Sequence, residues 1–229
     1  MQITAAMLTG KTQAHLVPLF SPYAAHHRLQ ADARRAFTAL RQSAVSAGFD
    51  LQPASSFRDF QRQQQIWNGK FLCRRKVHDD QGNPLDLTCL DDWQKCEAIL
   101  RWSALPGASR HHWGTEIDIY DPTRLPQGQA LQLEPWEYEE NGYFYDLTCW
   151  LNEQLPHFDF TLPFQTASLA QAELDVGREP WHISYRPIAE QFRAQFTPEI
   201  LLKSWQDETI EGKAVLQNKL DLIFRRFIG

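Results

Sequence analysis

Apolar residues recur at helical spacing over residues 28–47. Leu29, Ala33, Phe37, Leu40 and Ala44 fall on one stripe, and Gly48 is placed to end the helix. Residues 51–55 have the length of a short strand, and 58–67, with a glutamine run, fit a second helix. Charge, Gly82 and Pro84 break any period over 72–92, which reads as a surface insertion or loop. Residues 92–102 predict a third helix, with Trp93, Cys96, Ile99 and Leu100 facing inward.

The period then changes from helix to strand. Over 115–120, Ile117 and Ile119 point one way while Glu116, Asp118 and Tyr120 point the other. Over 181–185, Trp181, Ile183 and Tyr185 share one face and His182 and Ser184 the opposite one. Between these strands, 121–142 is rich in Pro, Gly and Glu and predicts a long loop, and 146–154 predicts a short helix. Thr197 before Pro198 marks a helix start, and Leu216, Leu220, Ile223, Phe224 and Phe227 make an apolar stripe. The expected fold is α+β: a small, mostly antiparallel central sheet flanked by helices. One domain over 1–229 is expected, with its core at about 50–190 and a helical C-terminal extension at about 190–229.

Composition narrows the function. With 229 residues, 43% of them hydrophobic, the chain can bury a substantial core. A net charge of −5 gives no basic footprint, so a nucleic-acid partner is not expected. Eight Trp and fourteen Phe are many for this length; most belong in the core, some lining a cleft. The first residues lack the basic and apolar regions of a secretory signal, and no run is long enough to span a membrane. A cytoplasmic protein is the expectation, with the periplasm as the alternative. Cys73, Cys89, Cys96 and Cys149 form no C-x-x-C pair and are read as reduced, partly buried thiols rather than a structural zinc set.

Two segments carry chemistry. The first is Ser109-Arg110-His111-His112-Trp113-Gly114-Thr115-Glu116-Ile117-Asp118; the second is Glu179-Pro180-Trp181-His182. Hydrolytic zinc sites take three ligands from His and Asp or Glu and leave one position open. Gly114 lets the chain turn between His111 and Asp118, so both can reach one ion, and His182 supplies the third donor from another strand. Such an ion polarises a carbonyl and makes water more acidic. Glu179, three residues before His182, is placed as general base for the water and proton donor to the leaving amine. His112 is assigned to packing or to support of the site, and His15, His26, His27, His78 and His157 have no motif partner.

The pattern Ser109-x-His111-x-x-Gly114-x-x-x-Asp118 followed by Glu179-x-Trp181-His182 resembles the VanY-type zinc D-alanyl-D-alanine carboxypeptidases. These stand beside the lysostaphin-like and hedgehog-like metallopeptidases. The upstream run Ser55-Ser56-Phe57-Arg58-Asp59-Phe60-Gln61-Arg62-Gln63 resembles that family's S-x-[YF]-R segment. The resemblance implies a hedgehog/D-Ala-D-Ala peptidase-like fold and one Zn2+ per chain on His111, Asp118 and His182, with Glu179 as catalytic base. It implies that Arg58 engages substrate near the scissile bond, with Ser109 and Gln63 nearby. The implied reaction removes the terminal D-alanine, across a D,D or L,D bond, from peptidoglycan stem peptides or muropeptides. A cell-wall endopeptidase on the same fold and a non-catalytic zinc- or peptide-binding module are the alternatives. His112-Trp113 stands where Gln-Thr is commoner, and Glu116 where the family is often small or apolar.

Overall fold

The computed structural model describes residues 2–165 and 175–228. A short helix α1 (Ala5–Leu8) leads to a two-stranded antiparallel ribbon of β1 (Val17–Pro18) and β2 (Arg28–Leu29). Then follow α2 (Ala31–Ser46), β3 (Gln52–Ser55), α3 (Phe60–Phe71), α4 (Asp92–Leu100) and β4 (Glu116–Tyr120). Next come α5 (Tyr145–Gln154), β5 (Phe160–Thr161) and β6 (His182–Tyr185). The tail is α6 (Arg186–Arg193), α7 (Pro198–Ser204), α8 (Lys213–Asn218) and α9 (Leu220–Ile223), closed by a π-helical turn Phe224–Ile228. None of the described helices is long and apolar enough to cross a membrane.

The central sheet has the order β3-β4-β6-β5 with every neighbouring pair antiparallel. Its register puts Asp118 between Ser55 on one side and His182 on the other. Ile117, Ile119 and Ile183 are fully buried on the back of the sheet, against α2 and α5. Each such side chain contributes roughly 1.5–3 kcal/mol of burial. A second apolar cluster joins α3, α4 and the C-terminal helices through Trp67, Ile99, Trp205 and Ile223. The opposite face of the sheet, carrying Asp118 and His182, looks into the space between these two clusters.

Local chemistry explains where the elements start. The stripe of α2 is buried as expected, and Gly48 follows the helix at φ +86°. Arg28 and Leu29 lie outside that helix, because their backbone pairs with β1 instead. The Asp59 side chain accepts the Arg62 N–H and caps α3, so Arg58 stands in the loop before the helix rather than inside it. A capping box of Asp91 and Gln94 starts α4, and Thr197 caps α7.

The two expected loops are less superficial than their composition implied. In 72–92, Val77 and Leu87 are buried in the second cluster. In 121–142, Tyr138 is fully buried and its hydroxyl donates to the Ile119 carbonyl at 2.7 Å, behind the central strand. The four cysteines are free; Cys96 is buried, whereas Cys73, Cys89 and Cys149 are exposed rather than partly buried.

Candidate metal centre and substrate cavity

A turn Arg110–Trp113 ends at Gly114, which has φ +70°. A Cβ there would lie 2.2 Å from a Leu16 methyl, so both the conformation and the space require glycine. The reversal brings His111 over β4, where Asp118 points to the same spot and His182 arrives from β6. One donor atom from each of these three residues lies within 4.8 Å of the other two. His111 Nε2 is 3.3 Å from Asp118 Oδ2, and His182 Nδ1 is 3.2 Å from Asp118 Oδ1.

The outer nitrogen of each imidazole is engaged. His111 Nδ1 donates to the Ser56 carbonyl at 2.6 Å, and His182 Nε2 donates to Glu116 Oε2 at 2.7 Å. Those bonds turn the lone pairs of His111 Nε2 and His182 Nδ1 toward Asp118. Asp118 Oδ1 is buried and makes no hydrogen bond. Leaving such an atom unsatisfied costs about 1–3 kcal/mol, and a cation would satisfy it. Two imidazole nitrogens and one carboxylate suit a zinc ion with an open position, so these residues fit the metal their pattern implies.

The buried charges of the cluster are strongly coupled to one another. Burial favours the neutral acid of Asp118, but the His111 and His182 imidazoles outweigh it and hold the carboxyl far below its ordinary range. Burial likewise opposes charge on Glu116, yet Arg110 and the hydrogen bonds from His182 and Ser184 bring it down to about 2. Thr115 Oγ1 also donates to Glu116, at 3.0 Å. Burial opposes charge on His182 too, but Asp118, Glu116 and Glu179 raise its pKa well above the usual imidazole value.

Glu179 Oε2 lies 3.4 Å from His182 Nδ1, and the His182 N–H donates to the Glu179 carbonyl. The strap that delivers Glu179 is tied at several points. Arg226 pairs with Asp175 and Glu97, and the Arg101 guanidinium donates to the Val176 carbonyl at 3.0 Å. Gly177 lies so close to Trp102 that a Cβ would fall 2.2 Å from its ring. The C-terminal turn thus helps to place the candidate base.

A cavity of about 410 Å³ opens over the cluster, and Arg58, Ser109, Lys70 and Glu179 line it. The Arg58 guanidinium donates to Gln63 Oε1 at 2.8 Å, and the Gln63 amide donates to the Ala104 carbonyl at 2.6 Å. Gln63 is fully buried behind Arg58 and is not among the cavity-lining residues, so it orients Arg58 rather than meeting a ligand. Burial lowers the Arg58 pKa, against the attraction of Asp118 and Glu179. His112 is buried; its Nδ1 donates to the Arg58 carbonyl at 2.6 Å and its Nε2 accepts the Gly107 N–H at 3.1 Å. With both nitrogens used and burial dominant, His112 stays neutral, its pKa lowered to about 3.

The structure therefore brings together His111, Asp118, His182, Glu179, Arg58 and Ser109, and sets Gln63 one layer behind. None of His15, His26, His27, His78 and His157 joins the cluster, although His27 Nδ1 lies 3.1 Å from Ser56 Oγ. Two residues escaped sequence reasoning. Glu116 shares a strand face with Asp118, and that alternation was the available signal. Lys70 sits in a polar helix with nothing to mark it.

A buried His/Asp/His cluster on an antiparallel sheet, with a carboxylate beside it and a cavity above, defines a metallopeptidase. A family model for VanY, D-alanyl-D-alanine carboxypeptidase, matches residues 26–188, and the chain belongs to that family. Two uncharacterized proteins of Haemophilus influenzae are similar to it. One is 56% identical over 124 residues, 54% of this chain and 92% of its own length. The other is 64% identical over 105 residues, 46% of this chain and 72% of its own. Among solved structures, VanYB in complex with D-Alanine-D-Alanine superposes with TM-score 0.54 at 21% identity, covering 87% of this chain and 92% of that one. A mutant of the vancomycin-resistance D,D-pentapeptidase VanY in complex with Zn(II) gives 0.53 at 21%, covering 80% and 85%. The LD-carboxypeptidase LdcB gives 0.51 at 16%, covering 86% and 80%. At these identities the likeness shows the shared fold.

Proposed function

We propose that this chain is a Zn2+-dependent carboxypeptidase that removes the terminal D-alanine from peptidoglycan-derived peptides. The observation that carries the proposal is the convergence of His111, Asp118 and His182 beneath a cavity that also holds Glu179 and Arg58. Family membership and the ligand named for VanYB support the substrate class. The named activity of LdcB supports a choice between D,D and L,D bonds rather than one of them.

His111, Asp118 and His182 would hold the ion, which supplies Lewis acidity to a carbonyl and to water. Glu179 takes the proton from the attacking water and returns it to the amine that leaves. Its position beside His182 keeps the carboxylate at the edge of the cluster, on the cavity side. Arg58, oriented by Gln63 and by the grip of His112 on its carbonyl, receives the free C-terminal carboxylate through its planar fork. Ser109 offers a hydroxyl to the same wall.

The test is incubation of zinc-loaded protein with tri-, tetra- and pentapeptide stems, with products weighed by mass spectrometry. Loss of one D-alanine from the tetra- or pentapeptide is expected. An amidated terminus should slow turnover at least about tenfold, since an ionic hydrogen bond contributes roughly 1.5–3 kcal/mol. Equal cleavage of acid and amide would replace the carboxypeptidase with an endopeptidase.

A further inference from the structure

Helix α3 and the loop that leads into it set two cations, Lys70 and Arg58, along the cavity. Gln63, on α3, fixes Arg58, and Lys70 lies seven residues beyond Gln63 on that helix. Positions seven apart share a helix face and are separated by about 10.5 Å. Lys70 Nζ donates to Ser103 Oγ at 2.7 Å, and no carboxylate among the described residues lies within ion-pairing distance of it. Arg58 is in the same condition, with Gln63 as its side-chain partner. Among the other cations that line the cavity, Arg101 is matched by Asp80 and Arg110 by Glu116.

Two part-buried cations with no carboxylate in ion-pairing distance among the described residues therefore share one cavity. Taking a cation out of water without a partner is unfavourable, and such an arrangement is retained where a ligand supplies the missing anion. Under the proposed function, one anion is the terminal carboxylate at Arg58. With the rise from Gln63 to Lys70 as the scale, a second is then required at Lys70, about three residues away along an extended peptide that advances about 3.3 Å per residue.

We propose that Lys70 binds a second carboxylate of the substrate, so that the preferred peptides are acidic ones carrying an internal carboxylate besides the C-terminal one. The proposal rests on the carboxypeptidase reading for the orientation of the peptide, and on the unpaired ammonium in the cavity wall for the second anion.

The experiment is calorimetric binding to zinc-loaded Glu179→Gln protein, paired with a hydrolysis assay of the unaltered protein. The probes are two N-acetylated peptides ending in D-Ala-D-Ala, identical except for glutamate or glutamine third from the C-terminus, and a second pair with the change fourth from it. In at least one pair, the glutamate peptide should bind about tenfold more tightly. Lys70→Ala should reduce that ratio to about one, and Lys70→Arg should keep most of it. Equal affinities in both pairs, or a ratio unchanged in Lys70→Ala, would overturn the Lys70 assignment while leaving the carboxypeptidase standing if both peptides are cleaved. Glutamate-dependent binding without hydrolysis would uphold Lys70 and sink the carboxypeptidase. Failure of every peptide to bind would overturn both.

Discussion

Glu116 and His182 meet across β4 and β6 at 2.7 Å, on the side of the imidazole turned away from Asp118. The carboxylate fixes which nitrogen of His182 carries the proton and which offers its lone pair to the candidate metal. Arg110, Ser184 and Thr115 hold Glu116 in place in turn. The expected consequence of Glu116→Ala is a loss of about 10–100-fold in metal affinity, as for other carboxylates that orient a metal-binding histidine. Competition against a chromophoric zinc chelator measures it, with thermal unfolding of the metal-free protein as the control for fold. Parental affinity in a folded variant would leave Glu116 with a purely structural part.

Metal removal gives a second outcome. Purified protein should take up one zinc per chain, and saturation at about 100 times Kd should add about 2.7 kcal/mol of stability. His111→Ala and His182→Ala should lose both the bound ion and the thermal shift that it produces. Elemental analysis with parallel melting curves decides it; full occupancy in both variants would remove the site.

Glu179→Gln keeps the size of the side chain and discards its basicity. It should bind zinc as the parent does and hydrolyse peptide at least about a hundredfold more slowly, the usual scale for a lost general base. Near-parental turnover would reassign Glu179 as a residue that merely steadies His182.

The proposed contact at Lys70 should make recognition depend on pH. Burial, aided by Arg58 and Arg75 and opposed by Glu179 and Glu134, lowers its ammonium to about 8. The unfolded chain therefore binds more protons between about 8 and the ordinary lysine value of about 10.4, so folding stability rises with pH across that window. Anion binding follows the opposite course. The preference for a glutamate over a glutamine peptide should be intact at neutral pH and fade as pH rises through about 8. Calorimetry across that range measures it; a preference still full at pH about 10 would show that another group holds the anion.

The parts legible in the sequence are those where local rule and tertiary need agree. The alternation of 115–120 is read correctly because Ile117 and Ile119 are core while Asp118 faces the cavity. The start of α2 is misplaced because Leu29 fits a helical stripe and a buried strand equally well, and only pairing with Val17 decides between them. The place of Gln63 behind Arg58 depends on the Ala104 carbonyl, distant in sequence, and no local pattern encodes it. Composition marks 121–142 as a loop but cannot show that Tyr138 closes the back of β4. Lys70 has no local signature at all; its meaning comes from what is missing around it.

The double occupation of β4 limits how this chain can vary. One face of the strand carries Glu116 and Asp118, the other Ile117 and Ile119, and all four are buried. Deleting or inserting a single residue there would exchange the faces, driving carboxylates into the core and isoleucines into the cavity. A change of length is better accommodated in loop segments such as 121–142 and 72–92, where no strand register has to be kept.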